Sequence, residues 1–150
     1  MISFSVERYV DAEADIRRIE RTSALEIERE TGIPGLVINH DYYRRLNGNG
    51  NLEVFIARDD GQVVGFSFYF LTKSLLNGAF WASSELMWVE REFRRPRIAS
   101  RFVRFITDYF RGKGVSNIRV AAIPGSGFDR LLARGARAVS ITYEMRTPDA

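Results

Sequence analysis

Met87-Trp88-Val89-Glu90-Arg91-Glu92-Phe93-Arg94-Arg95-Pro96-Arg97-Ile98-Ala99-Ser100 is the stretch whose reading decides the fold. It sits inside residues 83–110. Before it the chain is apolar and strand-like. After it Ile98, Phe102, Phe105, Ile106 and Tyr109 recur at the spacing of one helix face. A strand, a basic turn and a helix are therefore expected in direct succession. A helix N-terminus offers unpaired N–H groups and the positive end of the helix dipole, and the arginines add full charges. The unit is expected to bind an anion.

Working outward, residues 2–7 alternate as a short strand. Ala12, Ile16, Ile19, Ala24, Leu25 and Ile27 mark a helix with Asp11 as N-cap and Gly32 as stop. Ile33-Pro34-Gly35 breaks the pattern. A second short helix is expected from His40 to Leu46, with His40 and Asp41 in a capping role. Residues 52–58 and 62–73 read as strands joined at Asp59-Asp60-Gly61, a tight hairpin turn in which glycine accepts positive φ. Residues 78–90 form another strand, and Gly112-Lys113-Gly114 stops the long helix. A buried strand at 116–123, a short helix ending at Gly135 and a last strand at 138–146 complete the chain. The order is β-α-α-β-β-β-α-β-α-β, an α/β or α+β sheet domain.

The chain has 150 residues, enough for one domain, expected to span residues 1–150, with a real core. No apolar run approaches the roughly 18 residues of a membrane span, and no secretory signal pattern opens it. Cysteine is absent and His40 is the only histidine. Disulfides, thiolate chemistry and Cys-type zinc sites are excluded, and no metal site is expected. Of 22 basic residues only Lys73 and Lys113 are lysines, on a net charge of +3. Arginine suits bidentate contacts to phosphate, although a G+C-rich genome accounts for most of the bias.

This order, with the basic loop where it falls, resembles the GNAT superfamily of N-acetyltransferases. It looks most like the small GNAT-like proteins of tailed bacteriophages, which share the hairpin seen here at residues 52–65, the Glu-bearing strand, the Arg-rich loop and Gly114-Val115. The family's pyrophosphate pattern is Arg/Gln-x-x-Gly-x-Gly/Ala. Arg94-Arg95-Pro96-Arg97-Ile98-Ala99 keeps its first and last positions and has Arg97 in place of the glycine. The resemblance implies a mixed central sheet of about six strands, with a parallel pair (80–90 and 116–123) splayed apart to admit pantetheine.

It also implies acetyl-CoA as cosubstrate. Met87, Trp88 and Val89 would contact pantetheine through their backbone. Arg94, Arg95, Arg97, Ile98, Ala99 and Ser100 would hold the pyrophosphate. Glu85 would be the general base, and the Val89 N–H would polarise the thioester carbonyl. Two departures stand out. Pro96 removes a loop donor, and Leu131 stands where the family often carries a tyrosine acid, four residues before Gly135.

The expected activity is CoA-dependent acyl transfer, acetyl above all, to a primary amine of a small molecule or protein, in the cytoplasm. The alternative is a GNAT-shaped binding protein without turnover, a phage protein that engages a host component. A third reading, nucleic-acid binding through Arg91, Arg94, Arg95, Arg97, Arg101 and Arg104, is disfavoured by the small net charge. Glu26, Glu28 and Glu30 could face an amine, and Phe66, Phe68, Tyr69 and Phe70 could line its pocket, though core packing is the ordinary role of such a run. The edge of the final strand would suit a homodimer.

Overall fold

The computed structural model describes residues 1–32, 37–122 and 124–136. Its elements are β1 (Ile2–Glu7), α1 (Tyr9–Thr31), α2 (His40–Gly48), β2 (Leu52–Asp59), β3 (Gln62–Lys73) and β4 (Phe80–Val89). A single 3₁₀ turn (Arg91–Phe93), α3 (Pro96–Gly112), β5 (Asn117–Arg119) and α4 (Gly127–Leu132) follow. The architecture is the mixed α+β class expected from the sequence, in the expected order as far as α4. The strand expected at 138–146, with Tyr143, lies outside the described residues. The described sheet runs β1-β2-β3-β4-β5. Its first three pairings are antiparallel, and β4 with β5 is parallel.

The β2–β3 hairpin turns on Asp60 and Gly61, whose φ angles are 45° and 89°. Both signs are positive, as a two-residue turn matched to strand twist requires. Side chains then alternate between two cores. Val54, Ile56, Phe66 and Phe68 meet Tyr9, Ala12, Ile16 and Ile19 of α1 on one face. Phe55, Val64 and Tyr69 meet Phe102, Ile106 and Phe110 of α3 on the other. The α3 stripe thus runs at four-residue steps to Phe110, with Tyr109 only half-buried beside it.

Three local expectations change. Asp11 does not cap α1, which starts at Tyr9; Asp11 pairs with Arg8, and the Tyr9 N–H donates to Asn47 Oδ1 at 2.8 Å. A residue 38 positions away supplies the cap, so no local pattern could announce it. His40 does not cap α2 either, because Asn39 does, accepting from the Tyr42 N–H at 3.1 Å. His40 is buried instead. Finally, β5 is three residues long, not eight.

Candidate functional site

The site begins with an extra residue. Along β4, Ser84 pairs with Tyr69 and Leu86 with Phe68, so Glu85 is left over as a β-bulge. The bulge reverses the inward and outward parity. Ala82 packs on the α3 face, yet Leu86 and Trp88 pack on the α1 face, while Met87 and Val89 lie on the α3 face. Immediately before it the parallel pairing ends. Trp81, Ala82 and Ser83 pair with Asn117, Ile118 and Arg119, and β5 stops there. Among the described residues, β4 from Ser84 to Val89 has no strand on its outer side. An Arg119 guanidinium stacked 3.9 Å from the Trp81 ring centre closes the base of this gap.

Which peptide groups face the gap follows from the ladder. The Glu90 N–H donates to the Val64 carbonyl at 2.8 Å. Gly65 and Val89 are therefore a non-hydrogen-bonded pair, and the N–H and carbonyl of Val89 point away from β3. By the same alternation Met87 also points outward, whereas the Trp88 peptide groups point back to β3. The expected backbone contacts thus divide: Met87 and Val89 offer groups to the gap and Trp88 does not. Gly65 allows the close approach behind them. A Cβ built there would lie 2.7 Å from the Trp88 carbonyl oxygen and 3.2 Å from Val89 Cα.

The chain then turns into α3. Arg94 is drawn inward, not outward. Its Nε donates to the Val89 carbonyl at 2.6 Å, its guanidinium pairs with Glu26 of α1, and it lies 4.2 Å from the Trp88 ring centre. Arg95 is the N-cap of α3 and makes no side-chain cap bond; it is exposed, as is Arg97. Pro96 occupies the first helical position, where a missing N–H costs least. Ile98 and Ala99 N–H groups turn back to the Arg95 carbonyl at 2.9 and 3.3 Å. The Arg97 N–H is thus the main backbone donor of the first turn. The exposed Ser100 donates its hydroxyl to the Arg97 carbonyl at 3.1 Å. Anion binding here would rest on guanidinium groups more than on backbone N–H groups.

Other candidates are placed elsewhere. Glu26 is engaged by Arg94, and Glu28 is half-buried on α1. Phe66 and Phe68 are stacked with ring centres 4.9 Å apart, Phe68 and Phe70 meet Tyr43 edge-on, and Tyr69 faces the opposite core against Phe55. This run is core, not pocket lining. His40 Nε2 lies 2.7 Å from Glu20 Oε2, and Nδ1 lies 2.6 Å from the Tyr9 hydroxyl. A carboxylate only accepts, so Nε2 donates a proton to Glu20, and Nδ1 faces the Tyr9 hydroxyl. Leu131 sits half-buried in α4. The arginine cluster divides: Arg94 turns into the protein, while Arg97, Arg101 and Arg104 follow one exposed side of α3. Among the described residues no group of three His, Cys, Asp or Glu could hold a metal ion, and no helix is long and apolar enough to cross a membrane.

A strand that parts from its parallel neighbour beside a helix N-terminus is the frame implied by the resemblance. The sequence matches the model of the acetyltransferase (GNAT) family over residues 17–125. The chain belongs to the GNAT acetyltransferase family.

Solved structures agree on the fold. The GNAT domain is similar to a ribosomal-protein-alanine N-acetyltransferase from Brucella melitensis biovar Abortus 2308, at TM-score 0.74 and 18% identity over 97% of this chain and 99% of that one. It is similar to an aminoglycoside acetyltransferase from an uncultured soil metagenomic sample, at TM-score 0.75 and 16% identity over 98% and 99%. It is also similar to a predicted acetyltransferase with acetyl-CoA from Clostridium acetobutylicum, at TM-score 0.71 and 14% identity over 97% and 96%. No curated protein sequence matches the chain. Two features of this GNAT site escaped the sequence reading. Gly65 carried a signal, a glycine inside an otherwise bulky strand. The Glu26–Arg94 pair, 68 residues apart, carried none.

Proposed function

We propose that this protein transfers an acetyl group from acetyl-CoA to a primary amine. The open outer edge of β4, ending at the N-terminus of α3, carries this reading. The outward backbone groups of Met87 and the N–H of Val89 have no strand beside them among the described residues and need partners, and the pantetheine amides supply them. The pyrophosphate then falls beside Arg95, Arg97 and the first N–H groups of α3, with Ile98, Ala99 and Ser100 beneath it.

The chemistry follows from those placements. The free amine attacks the thioester carbonyl carbon and the C–N bond forms. Negative charge developing on the carbonyl oxygen meets the Val89 N–H. Glu85, the bulge residue, takes the proton from nitrogen. The C–S bond breaks, and the CoA thiolate leaves without a side-chain acid on α4, since a thiolate is a tolerable leaving group near neutral pH. Acetyl-CoA sets the activity in the cytoplasm.

Acetyl-CoA is expected to raise the melting temperature, since a ligand of the native state alone stabilises it. A panel of primary amines is then expected to release free thiol. Glu85→Gln should slow that release about a hundredfold or more. No thiol release with any amine would contradict the enzyme reading. A bound acetyl-CoA without release would favour a second one, a GNAT-shaped binding protein that engages a host component. Leu131 at the acid position and the Pro96-Arg97 loop are the observations in its favour.

A further inference from the structure

The arginine that opens the family pattern has its side chain turned away from the loop surface. The two peptides that flank Val89 are each held, the Trp88–Val89 peptide from behind and the Val89–Glu90 peptide from in front. Behind it, Gly65 lets β3 approach so closely that any Cβ would collide with the Trp88 carbonyl oxygen, a backbone atom that cannot swing aside. In front of it, the Arg94 Nε holds the Val89 carbonyl at 2.6 Å. The guanidinium is itself fixed by the carbonyl, the Glu26 carboxylate and the face of Trp88. Glu26 belongs to α1, and Arg18 of α1 makes a second tie, to Glu90 Oε1 at 3.0 Å and to the Val63 carbonyl at 2.6 Å. The Val89–Glu90 peptide, with its carbonyl on Arg94 and its N–H on the Val64 carbonyl, cannot rotate without breaking one of these bonds. Val89 therefore sits between two held peptides, and this sets the direction of its N–H.

We infer that Arg94 and Gly65 are positioning residues, which fix the direction of the Val89 N–H, and that Arg94 is not a phosphate ligand. The inference rests on the proposed role of that N–H in acetyl transfer. Its physical content is independent of turnover. A fixed donor stabilises developing charge without reorganisation, and loss of about an ångström of placement costs about a hundredfold in rate.

The test compares Arg94→Met, Arg94→Lys and Gly65→Ala with the wild-type protein. Arg94→Met should lower kcat by about tenfold to a hundredfold and leave the calorimetric Kd for CoA within about threefold, at low and high salt alike. Arg94→Lys restores one hydrogen bond to the Val89 carbonyl and should recover part of the rate. Protection of the Glu90 amide, read by NMR-detected hydrogen exchange, should fall in Arg94→Met and in Gly65→Ala. A tenfold or larger loss of CoA affinity in Arg94→Met, with a shallower salt dependence, would make Arg94 a phosphate ligand and overturn the inference. Unchanged Glu90 protection in both variants would also overturn it. Absence of turnover in the wild-type protein would count against the enzyme reading alone, and the exchange measurement would still decide the clamp.

Discussion

On the α1 and α2 side of the sheet the packing is closed within the protein. Tyr9, Tyr43, Phe66 and Phe68 touch ring to ring, and the polar chain Tyr9–His40–Glu20 is closed by hydrogen bonds at 2.6 and 2.7 Å. Glu20 also accepts from the Ile38 N–H at 2.6 Å, which ties the approach to α2 onto α1. Along the outer edge of β4 the opposite holds. From Ser84 to Val89 the strand has no described strand on its outer side, and it ends beside exposed Arg95 and Arg97. The contrast separates two tasks. The closed side holds the fold together, and the open side has unused hydrogen-bonding capacity for a ligand. Substitutions on the two sides should therefore fail in different ways.

The largest stability loss belongs to the closed side. Phe68→Ala removes a fully buried ring that stacks on Phe66 and abuts Tyr43 and Tyr9. It should cost about 3–5 kcal/mol in denaturant unfolding. The Kd for CoA of the fraction that folds should not change. A Phe68→Ala protein that keeps its stability would break the comparison.

Next comes the buried polar chain. His40→Ala leaves the Tyr9 hydroxyl and the Glu20 carboxylate without their shared partner. The expected loss is about 2 kcal/mol, seen as a melting temperature lower by several degrees. Turnover per folded molecule should stay the same, because His40 sits in the core. A large fall in kcat with unchanged stability would give the histidine a chemical role.

A smaller effect is expected on the open side. Arg97→Ala should weaken CoA binding several-fold, about 1 kcal/mol, with a loss that shrinks as salt rises. Stability should hold within about 0.5 kcal/mol, since the side chain is exposed. Equal CoA affinity in wild-type and variant would leave the phosphate to other groups.

The smallest prediction concerns pH. Arg58 donates to both carboxylate oxygens of Glu7, at 2.9 and 2.7 Å, and holds that carboxyl below its ordinary value of 4.5. A lowered native pKa means stability that is present above the ordinary value and lost as pH falls through the native one. Glu7→Gln should therefore be less stable than wild type at pH 7, by about 1 kcal/mol or less. The gap should close as pH falls below the ordinary value and through the lowered native one. A constant gap across that range would assign the loss to packing instead of charge.

How much was legible depended on the range of the interactions. The β3 span from Gln62 to Lys73, the Asp60-Gly61 turn and the stop of α1 at Gly32 are set by neighbours in sequence, and the pattern of residues exposes them. The bulge at Glu85 was hidden, because one residue's change of parity shows only when the facing strand is known. The shortness of β5 was hidden for the same reason: Val120 is as apolar as a strand residue but has no partner past Arg119. At the site, position was readable and direction was not. The basic loop fell where expected, yet four arginines look alike in sequence. Only the fold shows that Arg94 reaches back to Val89 and Glu26 while Arg95 and Arg97 stay at the surface.

The most direct test of the central claim is a backbone-amide NMR titration with acetyl-CoA. The account predicts saturable shifts at Met87 and Val89, at residues 97–100 and at β5, with the α1–α2 core silent. No shifts at millimolar acetyl-CoA, or shifts confined to the α1–α2 side, would contradict it.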